Sequence, residues 1–465
     1  MTRFAAVAAL SSLLLTSCAI GPNYKRPVVQ VPAAYNGPPA PSDASVADLA
    51  PFDLFHDPTL TELLKTALAQ NNDLSIAAER VLEARAQFGI VRSNQFPSLD
   101  ATGQFNSSRT SSIGSYTFIP PGTDLSSSFT QAGFSLSWEL DVWGRVRRLK
   151  ESARAQYLAT EEGRHGVMAT VIADVTTNYL SLLELDQELE IAQHTRDIGE
   201  QGLRLTELRH QRGAATGLDV RQAQELLYTA TAQIAATERL RGETENALSL
   251  LLGRNPGPVS RGKKLVELTD AAQIPAGLPS RLIERRPDIR EAENTLIAAN
   301  AQIGAAEALF FLQISLTSFL GGQSRSLSQL FTGPARQWTI APAADLSIFN
   351  AGRLRNNVHY AQATQREMLA AYRKAVQNGF REVSDSLIDH QKNLEQRKQL
   401  ELFVDALRDA DRLSQARYKG GMDSYLQVLD AQRSLFQGEL NLARLRRDEL
   451  ASVVELYRAL GGGWQ

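Results

Sequence analysis

The 465-residue chain carries one pattern twice, and this limits its fold more than any other property. Asn72-Asp73-Leu74 returns as Pro287-Asp288-Ile289, Ala86-Gln87 as Ala301-Gln302, and Gly89 as Gly304, all at one spacing. Leu140, Val142 and Trp143 return as Leu346, Ile348 and Phe349. Gly144-Arg145 returns as Gly352-Arg353 after a two-residue insertion. Leu218, Val220, Ala223 and Gln224 return as Leu426, Val428, Ala431 and Gln432. The ordered series marks a first repeat at 59–255 and a second at 279–465, joined by a linker at 256–278.

Each repeat reads helix, strand, loop, strand, very long helix, tip, long helix. The first helix is expected at about 73–94, stopped by Pro97. The next, 145–212, contains no proline, and at 1.5 Å per residue it would be roughly 100 Å long. Its apolar positions Val171, Val175, Tyr179, Leu182, Leu185, Leu189 and Ala192 step by three and four, a coiled-coil-like seam. The second repeat renews the seam with Val376, Phe380, Val383, Leu387 and Leu394 in a helix at 353–417. Gly213 and Gly217, then Gly420 and Gly421, break the long hairpins at their tips. Returning helices follow at 218–252 and 423–459.

The strand segments alternate between apolar and polar residues. Leu99, Ala101, Gly103 and Phe105 oppose Asp100, Thr102, Gln104 and Asn106; Phe134, Leu136, Trp138 and Leu140 oppose Ser135, Ser137, Glu139 and Asp141. In the second repeat Leu312, Ile314 and Leu316 oppose Gln313, Ser315 and Thr317, and Ile340, Ala344, Leu346 and Ile348 oppose Ala343, Asp345 and Ser347. Alternation over about ten residues is the signature of a membrane β-barrel strand. One such segment alone reads as a half-buried soluble strand; four in matched positions do not. Four strands cannot close a barrel, because an open edge in lipid strands its backbone groups. Several chains must therefore share one barrel, and cyclic symmetry closes it. A dimer gives eight strands, which enclose little more than side chains; a trimer gives twelve, which leave a lumen. The expected fold is mainly α with a membrane β-barrel.

The start of the chain says where it goes. Arg3, the apolar run Phe4 to Leu15, and Leu15-Thr16-Ser17-Cys18 form an export signal over 1–17. The end of that signal resembles a bacterial lipobox, in which the cysteine becomes the acylated first mature residue; the alternative is an ordinary signal peptide with an incidental cysteine. Cys18 is the single cysteine of the chain. Ala19 follows it, which by the same resemblance favours outer-membrane sorting. Residues 18–58, with Pro22, Pro27, Pro32, Pro38, Pro39 and Pro41, read as an extended strap without a core of its own.

Several stretches together resemble the TolC-like outer-membrane factors, in the lipoprotein (NodT-like) branch that serves resistance–nodulation–division efflux systems. They are Cys18-Ala-Ile-Gly-Pro-Asn-Tyr-Lys-Arg-Pro27, Leu282-Ile-Glu-Arg-Arg-Pro-Asp-Ile289, the turns at Gly144-Arg145 and Gly352-Arg353, and Arg417-Tyr-Lys-Gly-Gly421 followed by Leu426-Gln-Val-Leu-Asp-Ala-Gln432. The resemblance covers nearly the whole mature chain. It implies a homotrimer with a twelve-stranded β-barrel and a periplasmic α-helical barrel. It implies partners too: a periplasmic membrane-fusion adaptor, an inner-membrane resistance–nodulation–division transporter and outer-membrane lipid. It implies no enzymatic activity and no cofactor beyond the covalent lipid at Cys18.

By the same resemblance the resting pore closes at its periplasmic tip. Asp219 matches a link-forming Asp, Tyr418 a link-forming Tyr, and Asp430 a ring-forming Asp; Gln427 and Asp423 stand where the family has another ring Asp and a link Arg. Asp219 and Asp423 also suit a helix N-terminus after a glycine break, and both roles are compatible. The tips Gly213, Gly217, Gly420 and Gly421 are the expected adaptor-docking points. Strand alternation places Glu139, Asp141 and Asp345 toward the lumen as candidate acidic rings favouring cations, unless nearby Arg residues neutralise them.

Other functions find little support. Lys plus Arg number 49 and Asp plus Glu 51, which argues against a nucleic-acid binder. The six His residues are scattered without metal-ligand spacing, and there is no phosphate loop or nucleophile elbow. Only four Met residues are present, so a Met-lined metal path has no basis. The runs Arg145-Val-Arg-Arg148 and Arg444-Leu-Arg-Arg447 read as solvated helix faces or lipid-headgroup contacts. The leading function is a passive exit duct for drugs or other small molecules. The alternatives are a type I protein secretion duct and a non-pore periplasmic coiled-coil scaffold.

Overall fold

The computed structural model describes residues 19–37, 45–111, 113, 124–268, 275 and 277–464. Cys18, the signal at 1–17 and parts of the strap and linker lie outside them. The chain divides into two units, Met1–Pro27 with Leu82–Ala159 and Glu293–Ala371, and Val28–Val81 with Thr160–Ala292 and Tyr372–Gln465.

The elements come in two matched series. The first is α1 (Pro58–Gln70), α2 (Asn72–Ser93), β1 (Ser98–Arg109), β2 (Ser126–Leu140), α3 (Arg145–Gln211) and α4 (Gly217–Leu251). The second is α5 (Pro279–Arg285), α6 (Pro287–Ala308), β3 (Gln313–Ser324), β4 (Arg336–Asp345), α7 (Arg353–Lys419) and α8 (Tyr425–Ala459). The long helices end within two residues of their expected bounds. One element is not evident from the sequence: α1, which opens with Pro58 at its first turn and Asp57 as N-cap, and buries Leu60, Leu63, Leu64 and Ala67 on one face.

In the first unit the four strands form one antiparallel sheet in the order β1-β2-β3-β4. The register runs Ala101 opposite Phe134, Phe134 opposite Leu320, and Leu320 opposite Trp338. One face therefore collects Leu99, Phe105, Phe134, Leu320, Trp338 and Ile340, all more than half exposed. The other collects Thr102, Gln104, Gln131, Ser135, Thr317 and Thr339. The outer edges of β1 and β4 have no strand partner among the described residues.

The fourth strand corrects an expectation. It stops at Asp345, so Leu346 and Ile348 belong to the turn that follows. That turn needs two successive left-handed residues, Ala351 (φ 49°) and Gly352 (φ 83°), which no strand accommodates. Its counterpart Gly144 has φ 81°, which explains why both repeats keep glycine there. Asp141 likewise lies beyond β2, and Leu312 ahead of β3.

In the second unit the seam of α3 is the core. Val175, Tyr179, Leu180, Leu182 and Ala192 are fully buried, with Leu248, Leu252, Val383, Leu387, Leu456 and Leu460 packed into the same unit. Strap residues Tyr35, Val46, Ala47 and Phe55 join this core, so the strap borrows a core rather than building one. The most apolar window of α3 is long enough to be compared with a membrane span, but more than half of it is buried. Hydrophobic burial in the protein accounts for it.

Candidate functional site

Three places carry the expected functional residues. At the sheet, Glu139 accepts two hydrogen bonds from Arg145, from Nε at 2.8 Å and Nη2 at 2.5 Å. Asp141 accepts the backbone N–H groups of Val146 (2.9 Å) and Arg147 (2.8 Å), and pairs with the Arg147 guanidinium. Two of the three candidate ring acids are thus neutralised at the start of α3, and Asp141 works as a helix cap, because free N–H groups there attract a carboxylate. Asp345 is exposed at the end of β4, on the polar face.

At the tips, Gly213 (φ 74°) and Gly421 (φ 73°) make the breaks. Gly217 does not break the helix: it is the first residue of α4, after the N-cap Thr216. Gly420 follows the last residue of α7, its N–H still bonded to the Ala416 carbonyl. Asp219 completes a capping box with Thr216 (2.7 Å and 3.2 Å), so its carboxylate serves its own helix. Asp423 pairs with both Arg417 Nε and Nη2, and this guanidinium holds its carboxyl below the usual range. It therefore does not cap α8, whose N-cap is Ser424.

Tyr418 lies 5.1 Å from the Tyr425 ring and under the Arg209 guanidinium at 4.5 Å. Burial pushes the Tyr425 phenol upward, with a smaller push from Tyr418. Ala223, Leu226, Val428 and Leu429 pack around this pair. Gln427 is exposed. Asp430 is exposed too, and pairs with Arg433 at 2.9 Å. Within one chain Asp219, Asp423 and Asp430 are therefore satisfied locally rather than by one another. Sequence reading missed the pairing of the cations Arg209, Arg417 and Arg433; the six-residue spacing of Arg417 to Asp423 and the three-residue spacing of Arg433 to Asp430 were the available signal.

The strap forms the third place. Arg148, only 3% exposed, donates to the carbonyls of Ile20 (3.0 Å) and Gly21 (3.0 Å) and to Asn23 Oδ1 (2.9 Å). Asn300 donates to the Pro22 carbonyl (2.9 Å), and Arg26 pairs with Glu293. Ile20 N–H bonds to the Trp143 carbonyl (3.1 Å), and Ala19 abuts Gly144 so closely that a Cβ there would lie 2.7 Å away. The reading of 145–148 as a solvated face is corrected: two of its arginines pair with strand-end acids, and the third clamps the strap. The run at 444–447 is corrected likewise, since Arg444 pairs with buried Glu188 (2.6 Å) and Arg446 with Glu401 (3.1 Å).

Comparison with known proteins explains the duplication. Residues 63–254 and 278–462 each match the outer membrane efflux protein family. The chain belongs to this family. As an outer membrane efflux protein it is 39% identical over 470 residues to the solvent efflux pump outer membrane protein SrpC of Pseudomonas putida, with 99% of each chain covered. It is similar to a solved membrane protein of Pseudomonas aeruginosa (TM-score 0.87, 35% identity, 96% of this chain and 100% of that one). It is similar also to the open state of the MtrE outer membrane channel of Neisseria gonorrhoeae (TM-score 0.86, 32% identity, 96% and 99%). This outer membrane efflux protein is an exit duct of the Gram-negative outer membrane. The exposed apolar face of its sheet meets lipid, and the strand ends joined to α2, α3, α6 and α7 face the periplasm.

Proposed function

We propose that the protein works as a homotrimer: three sheets complete a twelve-stranded β-barrel, and the helices form an α-helical barrel in the periplasm. The observation that carries this is the four-stranded sheet with an apolar outer face and two edges that have no strand partner among the described residues. In lipid such edges must find partners. Acylation at Cys18 adds a lipid anchor. The tips at Gly213 and Gly421 dock a periplasmic membrane-fusion adaptor, which connects the duct to an inner-membrane resistance–nodulation–division transporter. The duct conducts drugs or solvents passively and performs no chemistry on them. SrpC, a solvent efflux pump component, supports the substrate class.

Sedimentation of the detergent-solubilised protein tests the assembly. Three chains per particle are expected. A monodisperse monomer that keeps its β-structure would sink the shared barrel. Export of an organic solvent from cells lacking their own duct tests the activity; secretion of a polypeptide without solvent export would favour the type I alternative.

A further inference from the structure

The lipid-facing side of the sheet carries a furrow that the chain fills only at the Gly322 end. Gly103, Ala132, Gly322 and Arg336 stand side by side in one transverse row, since Gly103 pairs with Ala132, Ala132 with Gly322, and Gly322 with Arg336. The adjoining row is Ala101, Phe134, Leu320 and Trp338. Three small residues beside three large ones leave a trough, and the segment before β4 roofs one end with Leu330 and Phe331. The resulting cavity is about 750 Å³, within the ~300–1,000 Å³ of small-molecule sites.

The opposite face shows what the chain does with such gaps elsewhere. There Gly133 pairs with Gly321, and the Phe319 ring lies over both, so that a Cβ on either would meet it within 2.8 Å. In the trough, the Leu330 carbonyl covers Gly322, where a Cβ would collide with it, but a Cβ on Gly103 meets nothing within 4 Å. Phe331, 88% exposed, and Trp338, 72% exposed, extend its apolar walls outward.

A cation stands at the end of the trough. Arg336 lines the cavity, is exposed, and has no ion pair among the described residues. It opens β4 directly after the connection from β3, at the end of that strand away from the helices, and β1 and β2 run on six residues further. That end faces the outer leaflet. Guanidinium binds phosphate through parallel N–H donors. The geometry points to a lipid site: the trough holds an acyl chain of a phosphate-bearing lipid of the outer leaflet, with its phosphate on Arg336.

Native mass spectrometry of the delipidated full-length protein in detergent tests this. The probe is dimyristoyl phosphatidic acid, compared with dimyristoylglycerol, which has the same chains and no phosphate. Phosphatidic acid should be retained roughly tenfold more strongly, the size of one charge-assisted contact. Arg336→Gln should bring it down to the level of the diacylglycerol. Gly103→Phe should lower retention of both, since its ring has open space to fill. Gly103→Leu is the milder form if the phenylalanine variant does not assemble. Unchanged retention in Arg336→Gln and in either Gly103 variant overturns the proposal. So does displacement of phosphatidic acid by inorganic phosphate, which would make Arg336 a free-anion site.

Discussion

The Tyr179 hydroxyl donates a 2.9 Å hydrogen bond to the Asp57 carboxylate, across 122 residues of sequence. Asp57 is 2% exposed and also accepts the N–H groups of Thr59 (2.8 Å) and Lys263 (3.2 Å). One carboxylate thus caps α1 and ties it to α3 and to the segment after α4. Gly262 belongs to the arrangement, because a Cβ there would collide with Asp57 Oδ1. Asp57→Ala removes the cap and leaves buried donors unpaired. The expected loss is about 3 kcal/mol, one cap plus one stranded donor, read as a lower thermal midpoint. A midpoint unchanged within a degree would show that the carboxylate is dispensable.

A second buried pair makes stability depend on pH. Burial, then the neighbouring Glu188 charge, pushes Glu184 in α3 up to about 7, against smaller opposing effects of Arg447 and Arg444. A folded carboxyl raised in this way binds its proton more tightly than the unfolded chain does. Its contribution is fully present below the unfolded value near 4.5 and is lost as pH rises toward 7. Glu184→Gln keeps the hydrogen-bonding shape without the charge. It should unfold near the wild-type midpoint at pH 5 and above it at pH 8, by on the order of 2 kcal/mol. A gap that does not widen between the two pH values would contradict this.

Pairing changes the expected ion selectivity of the duct. Asp430 is joined to Arg433 and Glu139 to Arg145, so the acids present less free charge than their number suggests. Arg433→Gln should release Asp430 and raise cation preference in reversal-potential measurements. The effect should be larger at low salt, where screening is weaker. Asp430→Asn should move the preference toward anions by freeing Arg433. Equal reversal potentials for all three proteins would place this pair away from the permeation path.

The tips offer room but not freedom. A Cβ on Gly213 or Gly421 would meet nothing within 4 Å, yet both residues hold left-handed backbone. Each Gly→Trp change should cost about 1–2 kcal/mol locally, without reaching the buried core. Trimer yield should stay within about twofold while efflux in cells falls sharply. Full efflux in the Gly213→Trp/Gly421→Trp double variant would remove the tips from the docking surface.

The strap makes a separable prediction. Cys18→Ser should abolish fatty-acid labelling, while Arg148→Met should leave labelling intact and expose residues 19–27 to proteolysis. Arg148 anchors three acceptors of the strap, while Asn300, Glu293 and the Trp143 carbonyl hold Pro22, Arg26 and Ile20, so the release should be partial and greatest around residues 20–23. Labelling of Cys18→Ser would refute the lipobox, and a protease-resistant strap in Arg148→Met would refute the clamp.

Elements governed by local periodicity were legible in the sequence. Two 67-residue helices without proline, and strands alternating apolar and polar residues, follow from chemistry a few residues wide. What escaped was set by distant partners. Asp57 meets Tyr179, Arg148 meets Ile20, and Glu188 meets Arg444 across more than a hundred residues each. No window along the chain contains both members. The tip acids were legible only in part for a different reason: Asp219 suits a cap and a gate equally well by residue type, and the folded chain shows the capping box with Thr216.

The edges of β1 and β4, without a strand partner among the described residues, also bear on inheritance. A subunit that needs neighbours on both sides shares their fate. If a cell makes sound and defective chains in equal amounts and assembles them at random in threes, only about one duct in eight is wholly sound. A mutation that spares the strand edges but blocks conduction should therefore poison the sound copies, whereas one that destroys both edges should be harmlessly recessive.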